Sequence, residues 1–207
     1  MEMRTSSFQA PRCVLRASLL PTLSLLALLA TAPTSNLYGA DGAGQIFDSQ
    51  VQILEHEHLP LAQAMPAEKY DFAPTAGAFT GVRTFAQQVR HMATVIYMLS
   101  GALLGEKPPV DVGKDDSGPV AVKTKAQLVE YLRGSLLYAH KAALSVTAAN
   151  ELEDIPSPFG QGKMKRLAAV SMIAWHSFDH FGQMVEYARM NGVIPPSSQP
   201  ASPPAEK

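Results

Sequence analysis

Apolar residues recur three and four positions apart in four stretches of this chain, the spacing that puts side chains on one face of an α-helix. Over residues 45–65 that face is Phe47, Val51, Leu54, His58, Leu61 and Met65, with Pro60 expected to kink or split the helix. Over residues 82–104 it is Phe85, Val89, Met92, Val95, Ile96, Leu99 and Leu103, and Gly105 with Pro108-Pro109 stops the run. Thr124 opens the third segment with Gln127 three residues on, the pattern of a capping box. Its buried side is Leu128, Leu132, Ser135, Leu136, Ala139, Ala143 and Val146. The fourth, residues 163–190, carries Leu167, Val170, Ala174, Ser177, Phe181, Met184 and Ala188, and Asn191-Gly192 followed by Pro195-Pro196 ends it. No stretch has the alternation of a strand.

Four amphipathic helices in a chain of one-domain length imply an all-α four-helix bundle. Connections of roughly 15–19 residues are long for a simple up-and-down bundle, where ~2–8 suffice, so at least one is expected to cross it. The expected limits are a bundle over residues 41–194 and a disordered Pro/Ser-rich tail over 195–207.

The start of the chain reads differently. Arg4, Arg12 and Arg16 precede the apolar run ASLLPTLSLLALLATA, which is too short for a bilayer span and is broken by Pro21. Residues 1–40 are therefore expected to be a signal peptide, which makes the protein exported, periplasmic or secreted, with no stable membrane span after cleavage. The one cysteine, Cys13, lies in that segment, so the mature protein has neither a disulfide nor a thiolate ligand. Without residues 1–40 the chain carries 14 basic and 17 acidic residues, with no basic run, which argues against a nucleic-acid partner.

All six histidines, at 56, 58, 91, 140, 176 and 180, fall in the helical segments. His176 and His180, in WHSFDH, are four apart and stack one turn apart on the same side of a helix. Such a pair suits one metal ion, with a third ligand from another helix and one position left open. His91, bordering the apolar stripe of the second segment, is the candidate third ligand. An i, i+4 histidine pair also arises in ordinary packing, so spacing alone leaves both readings open. The zinc-protease motif is excluded, because Ser177 stands where that motif needs Glu. Gln87, Thr94, Gln183 and Tyr187 are candidates to orient the imidazoles. Asp179 is expected to turn away, His58 and His140 to be core or boundary residues, and His56 to face solvent.

The segments EHEHLPLAQAMPAEKYDFAPT, VRTFAQQVRHMATVIYMLSGALLGE and WHSFDHFGQMVEYARMNGVIPPSS resemble the DinB-like superfamily, and most closely its exported branch. The resemblance implies a four-helix bundle of unusual crossover topology. It also implies a divalent metal held by one histidine of the second helix and an H-x-x-x-H pair of the fourth, which are His91, His176 and His180 here. Relatives include thiol-dependent transferases, an isomerase and proteins described as metal-dependent hydrolases. The name reflects DNA-damage induction and does not imply DNA binding. Three neutral imidazoles suit zinc, nickel, iron or copper rather than magnesium or calcium, and affinity is expected to fall below about pH 6 as free imidazoles protonate. Two functional readings stand open: a metal-dependent hydrolase or transferase, and a non-catalytic bundle that binds a metal or small ligand. Neither the substrate nor a homodimer is decided by the sequence.

Overall fold

The computed structural model describes residues 42–200; the expected signal peptide and the last seven residues of the expected tail lie outside them. Four helices dominate: α1 (Ala43–Ala64), α2 (Phe85–Leu104), α3 (Lys125–Leu144) and α4 (Arg166–Met190). The expected apolar stripes are the buried ones, with Val51, Leu54, Leu61, Met65, Phe85, Met92, Leu99, Leu128, Leu132, Leu136 and Val170 all essentially inaccessible.

The helices pack in an order that differs from their order in the chain. α1 lies against α3 and α4, and α2 lies against α3 and α4, while α3 and α4 barely touch. The connections α1–α2 and α3–α4 therefore run across a diagonal of the bundle, which explains their length. This arrangement makes α2 and α4 neighbours, although 61 residues separate the end of one from the start of the other. α2 is the most enclosed element, with Gln88, His91, Thr94 and Ser100 buried among its apolar side chains.

Both middle helices begin with a reciprocal capping box. Thr124 and Gln127 form the expected one on α3, and Thr84 and Gln87 form a second on α2, three residues later than the expected start at Val82. Here the first four backbone N–H groups of α2 are all used: Phe85 donates to Phe72 O, Ala86 to Tyr70 O, Gln87 to Thr84 Oγ1 and Gln88 to Thr84 O. At the other end Gly105 takes a left-handed conformation, φ +67, and Arg166 Nη1 donates to the free carbonyl of Leu103.

Two expectations need correction. Pro60 does not split α1, which continues to Ala64. The carbonyl that Pro60 leaves without its helical donor belongs to His56, on the exposed face, where water can satisfy it. The second correction is a small antiparallel hairpin, β1 (Asp154–Pro156) with β2 (Lys163–Lys165), where only a loop and the start of α4 were expected. Three-residue strands are too short to show alternation. They are held by the ladder, by an Asp154–Lys165 ion pair at 2.8 Å and by Ile155, buried beside α2. Gly160 and Gly162, both at φ +133, turn the chain between the strands.

Candidate metal centre

His91 enters the bundle from the middle of α2, and His176 and His180 face it from successive turns of α4. One nitrogen of each imidazole lies within 4.8 Å of the others. The ring centroids are 5.1 Å (His91–His176), 4.6 Å (His91–His180) and 4.5 Å (His176–His180) apart. The three histidines singled out in the sequence therefore converge, although 84 residues lie between His91 and His176.

Hydrogen bonds to the far ring nitrogens set the tautomers. His91 Nδ1 donates to the backbone carbonyl of Asp116 at 2.7 Å, leaving Nε2 with its lone pair. His180 Nδ1 donates to Gln88 Oε1 at 2.7 Å, and Gln88 Nε2 donates in turn to Gln183 Oε1 at 2.8 Å. His180 Nε2 is then also an acceptor, and it lies 3.2 Å from His176 Nε2. Without an ion, His176 can carry its proton on Nε2 and donate it to His180 Nε2; with that proton on Nδ1 instead, both Nε2 lone pairs face one point, where a cation can bind. Two nitrogens each ~2.0–2.1 Å from a tetrahedral ion would be about 3.4 Å apart, so the spacing fits one small ion. His176 Nδ1 is buried without a partner, so its tautomer is not held by the protein.

Burial also keeps the imidazoles neutral. His180 is pushed down to about 3, first by loss of hydration and then by repulsion from His176, His91 and Arg83. His176 falls to about 4 for the same first reason, with His91 and Arg83 opposing its charge and Asp179 and Asp116 partly restoring it. His91 is lowered by burial, against the hydrogen bond to Asp116 O. All three are unprotonated at neutral pH, the state in which imidazole is a ligand.

The loop before α3 is seated on α2 by two features. Arg90 Nε donates to Ser117 O at 2.8 Å and Arg90 Nη1 to Val122 O at 3.4 Å. Gly118, at φ +81, passes so close to α2 that a Cβ there would stand 2.9 Å from Arg90 Cγ. Together they carry the Asp116 carbonyl to His91. From α1, buried His58 donates from Nε2 to the Ser177 carbonyl at 3.1 Å and stacks on Phe181, bracing the segment of α4 between the paired histidines.

Of the four residues expected to orient the imidazoles, Gln183 alone joins the network, through Gln88. Gln87 is taken by the α2 capping box, Thr94 is bonded to the Tyr131 hydroxyl at 3.0 Å, and Tyr187 packs against Phe72. Gln88 and Asp116 take their places. Gln88 was within reach of helical geometry, three residues before His91; reading Thr84-x-x-Gln87 as a cap would have set Gln87 aside. Asp116 acts through its backbone, which no side-chain pattern announces. His140 lies at the α1–α3 contact, its Nδ1 2.6 Å from Asp48 Oδ1, and His56 is exposed to solvent, both away from the centre.

A cavity of about 640 Å³ opens beside His180. Its walls include Arg83, Gln87, Gln88, Arg90, Asp179 and Gln183. Asp179, expected to turn away from the pair, borders this cavity together with His180, and its charge is felt at His176.

A family model described as the DinB superfamily matches residues 50–184 of the chain. Among solved structures, a crystal structure of a DinB-like protein from Bacillus cereus ATCC 10987 is similar in fold, with a TM-score of 0.57 and 15% sequence identity, over 73% of this chain and 95% of that one. No curated protein gives a significant match.

Proposed function

Because the chain belongs to the DinB superfamily, and because three of its histidines, two buried and one half-buried, meet at one point, we propose that it is a metal-dependent hydrolase or transferase. In this reading His91, His176 and His180 hold one divalent transition ion, zinc, nickel or iron, and the adjoining cavity takes a small-molecule substrate. The observation that carries it is the convergence of the three imidazoles, with one nitrogen of each within 4.8 Å of the others. Three neutral ligands leave the charge of a bound dication uncompensated and a coordination position free, which is the chemistry for lowering the pKa of a bound water or polarising a carbonyl. Gln88 and the Asp116 carbonyl keep His180 and His91 presenting Nε2. Burial keeps protons off all three rings.

The rival reading is a non-catalytic bundle that binds a metal or small ligand, and a closed fourth position would favour it. The cavity against His180 favours the open arrangement. We also propose that the protein works outside the cytoplasm, on the strength of the positive start and short apolar run of residues 1–32.

Metal analysis of purified protein is the direct test. One equivalent of a transition ion is expected, lost on replacing His91, His176 or His180 by Ala and kept in His56→Ala. Trp175, the chain's one tryptophan, lies with its ring centroid 6.1 Å from that of His176, so its fluorescence should report titration of the ion. An activity screen with and without that ion then separates the two readings. Protein that binds no transition ion at neutral pH would refute both the site and the chemistry built on it.

A further inference from the structure

The cavity beside His180 has a charge pattern of its own. Its lining contains two cations, Arg83 and Arg90, and one anion, Asp179. Arg90 is committed to the loop carbonyls of Ser117 and Val122. Arg83 is not committed in this way: among the described residues its one ionic contact is a single approach of 3.9 Å to Asp116 Oδ2, between side chains 38% and 48% exposed. A pair at that distance and exposure is weak and leaves the planar guanidinium fork available. The α2 N-terminus cannot serve an anion instead, since the N–H groups of its first turn are already bonded.

Arg83 is also electrostatically coupled to the centre. Its charge opposes protonation of His91, His176 and His180 alike, and it shares the cavity lining with His180.

We infer that Arg83 is the specificity residue of this cavity, and that it anchors a carboxylate of the small molecule bound beside the three histidines. The inference rests on the reading of the cavity as the substrate site given under Proposed function. A carboxylate matches the guanidinium with two parallel N–H···O bonds and one unit of charge. A phosphate monoester carries about −1.5 to −2. With Arg90 committed, Arg83 is the one uncommitted side-chain cation of the lining among the described residues, and its planar fork matches a single carboxylate. Asp116 acts as the internal competitor that occupies Arg83 when the cavity is empty of ligand.

Calorimetric titration of the full chain loaded with zinc reads this without any activity assay. Benzoate, its neutral isostere benzamide and phenyl phosphate are the probes. Benzoate is expected to bind at least tenfold more tightly than benzamide. Arg83→Gln should bring benzoate down to the benzamide level, Arg83→Lys should keep part of the preference, and zinc content should stay unchanged in both. Asp116→Asn keeps the backbone carbonyl that holds His91 and frees Arg83, so it should tighten benzoate several-fold. Equal benzoate binding by wild type and Arg83→Gln overturns the assignment, as does benzoate binding no better than benzamide. Tighter binding of phenyl phosphate than of benzoate reassigns the group to phosphate and overturns the carboxylate. Should Arg83→Gln not fold, the benzoate–benzamide comparison on wild type and the direction of the Asp116→Asn change decide the matter. Should wild type hold no zinc, the metal reading fails on its own, and the same titrations of metal-free protein still read the Arg83 dependence.

Discussion

The side chain that controls His180 is Gln88, 1% exposed and bonded on both sides, to His180 through Oε1 and to Gln183 through Nε2. Gln88→Leu keeps the volume roughly and removes the acceptor, leaving the His180 Nδ1 proton buried without a partner. Loss of such a partner typically costs 10–100-fold in metal affinity. That loss is expected for Gln88→Leu, measured by competition with a chelator of known affinity, whereas Gln87→Leu should weaken the α2 cap and leave metal affinity alone. Equal effects from the two would mean that the network does not orient His180. His58 is a second case of a residue acting at a distance. Its Nε2–H reaches the Ser177 carbonyl, and its Nδ1 has no partner, so His58→Leu removes one hydrogen bond together with one buried, unsatisfied nitrogen. The two effects oppose each other in their contribution to stability.

At the scale of elements, the centre depends on how closely the loop of residues 111–119 lies on α2. Gly118 allows this twice over, by its positive φ and by the absence of a Cβ. Gly118→Ala is expected to lift the loop, take the Asp116 carbonyl from His91 and lower metal affinity without changing helical content. Unaltered affinity in a folded Gly118→Ala protein would show that the loop does not hold His91. Gly44 has the same role at the start of α1, where a Cβ would stand 2.6 Å from the Val146 carbonyl. Gly44→Ala should destabilise the α1–α3 contact by about 1–3 kcal/mol, as overpacking does, and be visible in urea unfolding. Thr84→Ala, which removes the α2 cap, should cost about 1 kcal/mol and leave the metal site in place.

For the molecule as a whole, four histidines, three buried and one half-buried, are held neutral. His58 and His176 are lowered to about 4, His180 to about 3, and His91 is lowered as well, burial being the first cause in each. In the unfolded chain each takes up a proton near its ordinary value of about 6.5. Below that pH the unfolded state binds more protons than the folded one, so stability falls as pH drops. It is full above about pH 6.5 and declines through the window down to about 4, by up to about 1.4 kcal/mol per pH unit for each histidine. The same shifts alter the expectation for the metal. Affinity in the folded protein should persist below pH 6, because His176 and His180 do not protonate there and His91 is shifted the same way, and should end in acid unfolding rather than in simple titration. Paired measurements of unfolding and metal release between pH 7 and 4 check this; metal release near pH 6 from protein that stays folded would contradict it. At a free ion concentration 100-fold above Kd, a bound ion adds about 2.7 kcal/mol, so a chelator should lower Tm by several degrees.

Much of this protein is determined by local rules and is legible without a structure. The four helices follow from the three-and-four spacing of apolar residues, α3 begins where Thr124 and Gln127 can cap each other, and His176 and His180 share a side because a helix turn brings i and i+4 together. Those are interactions within a few residues, which a sequence carries directly. Tertiary structure decided what depends on distant chain. It set α2 beside α4, brought His91 to the pair, chose Gln88 over Gln87 as the partner of His180, and supplied the Asp116 carbonyl from a loop. It also formed the short hairpin before α4, whose three-residue strands have no pattern of their own. Helical periodicity defines the direction of a side chain only relative to its own axis. Which group that side chain meets is set by the packing of one helix against another, and by backbone carbonyls that every residue possesses and no residue type reveals.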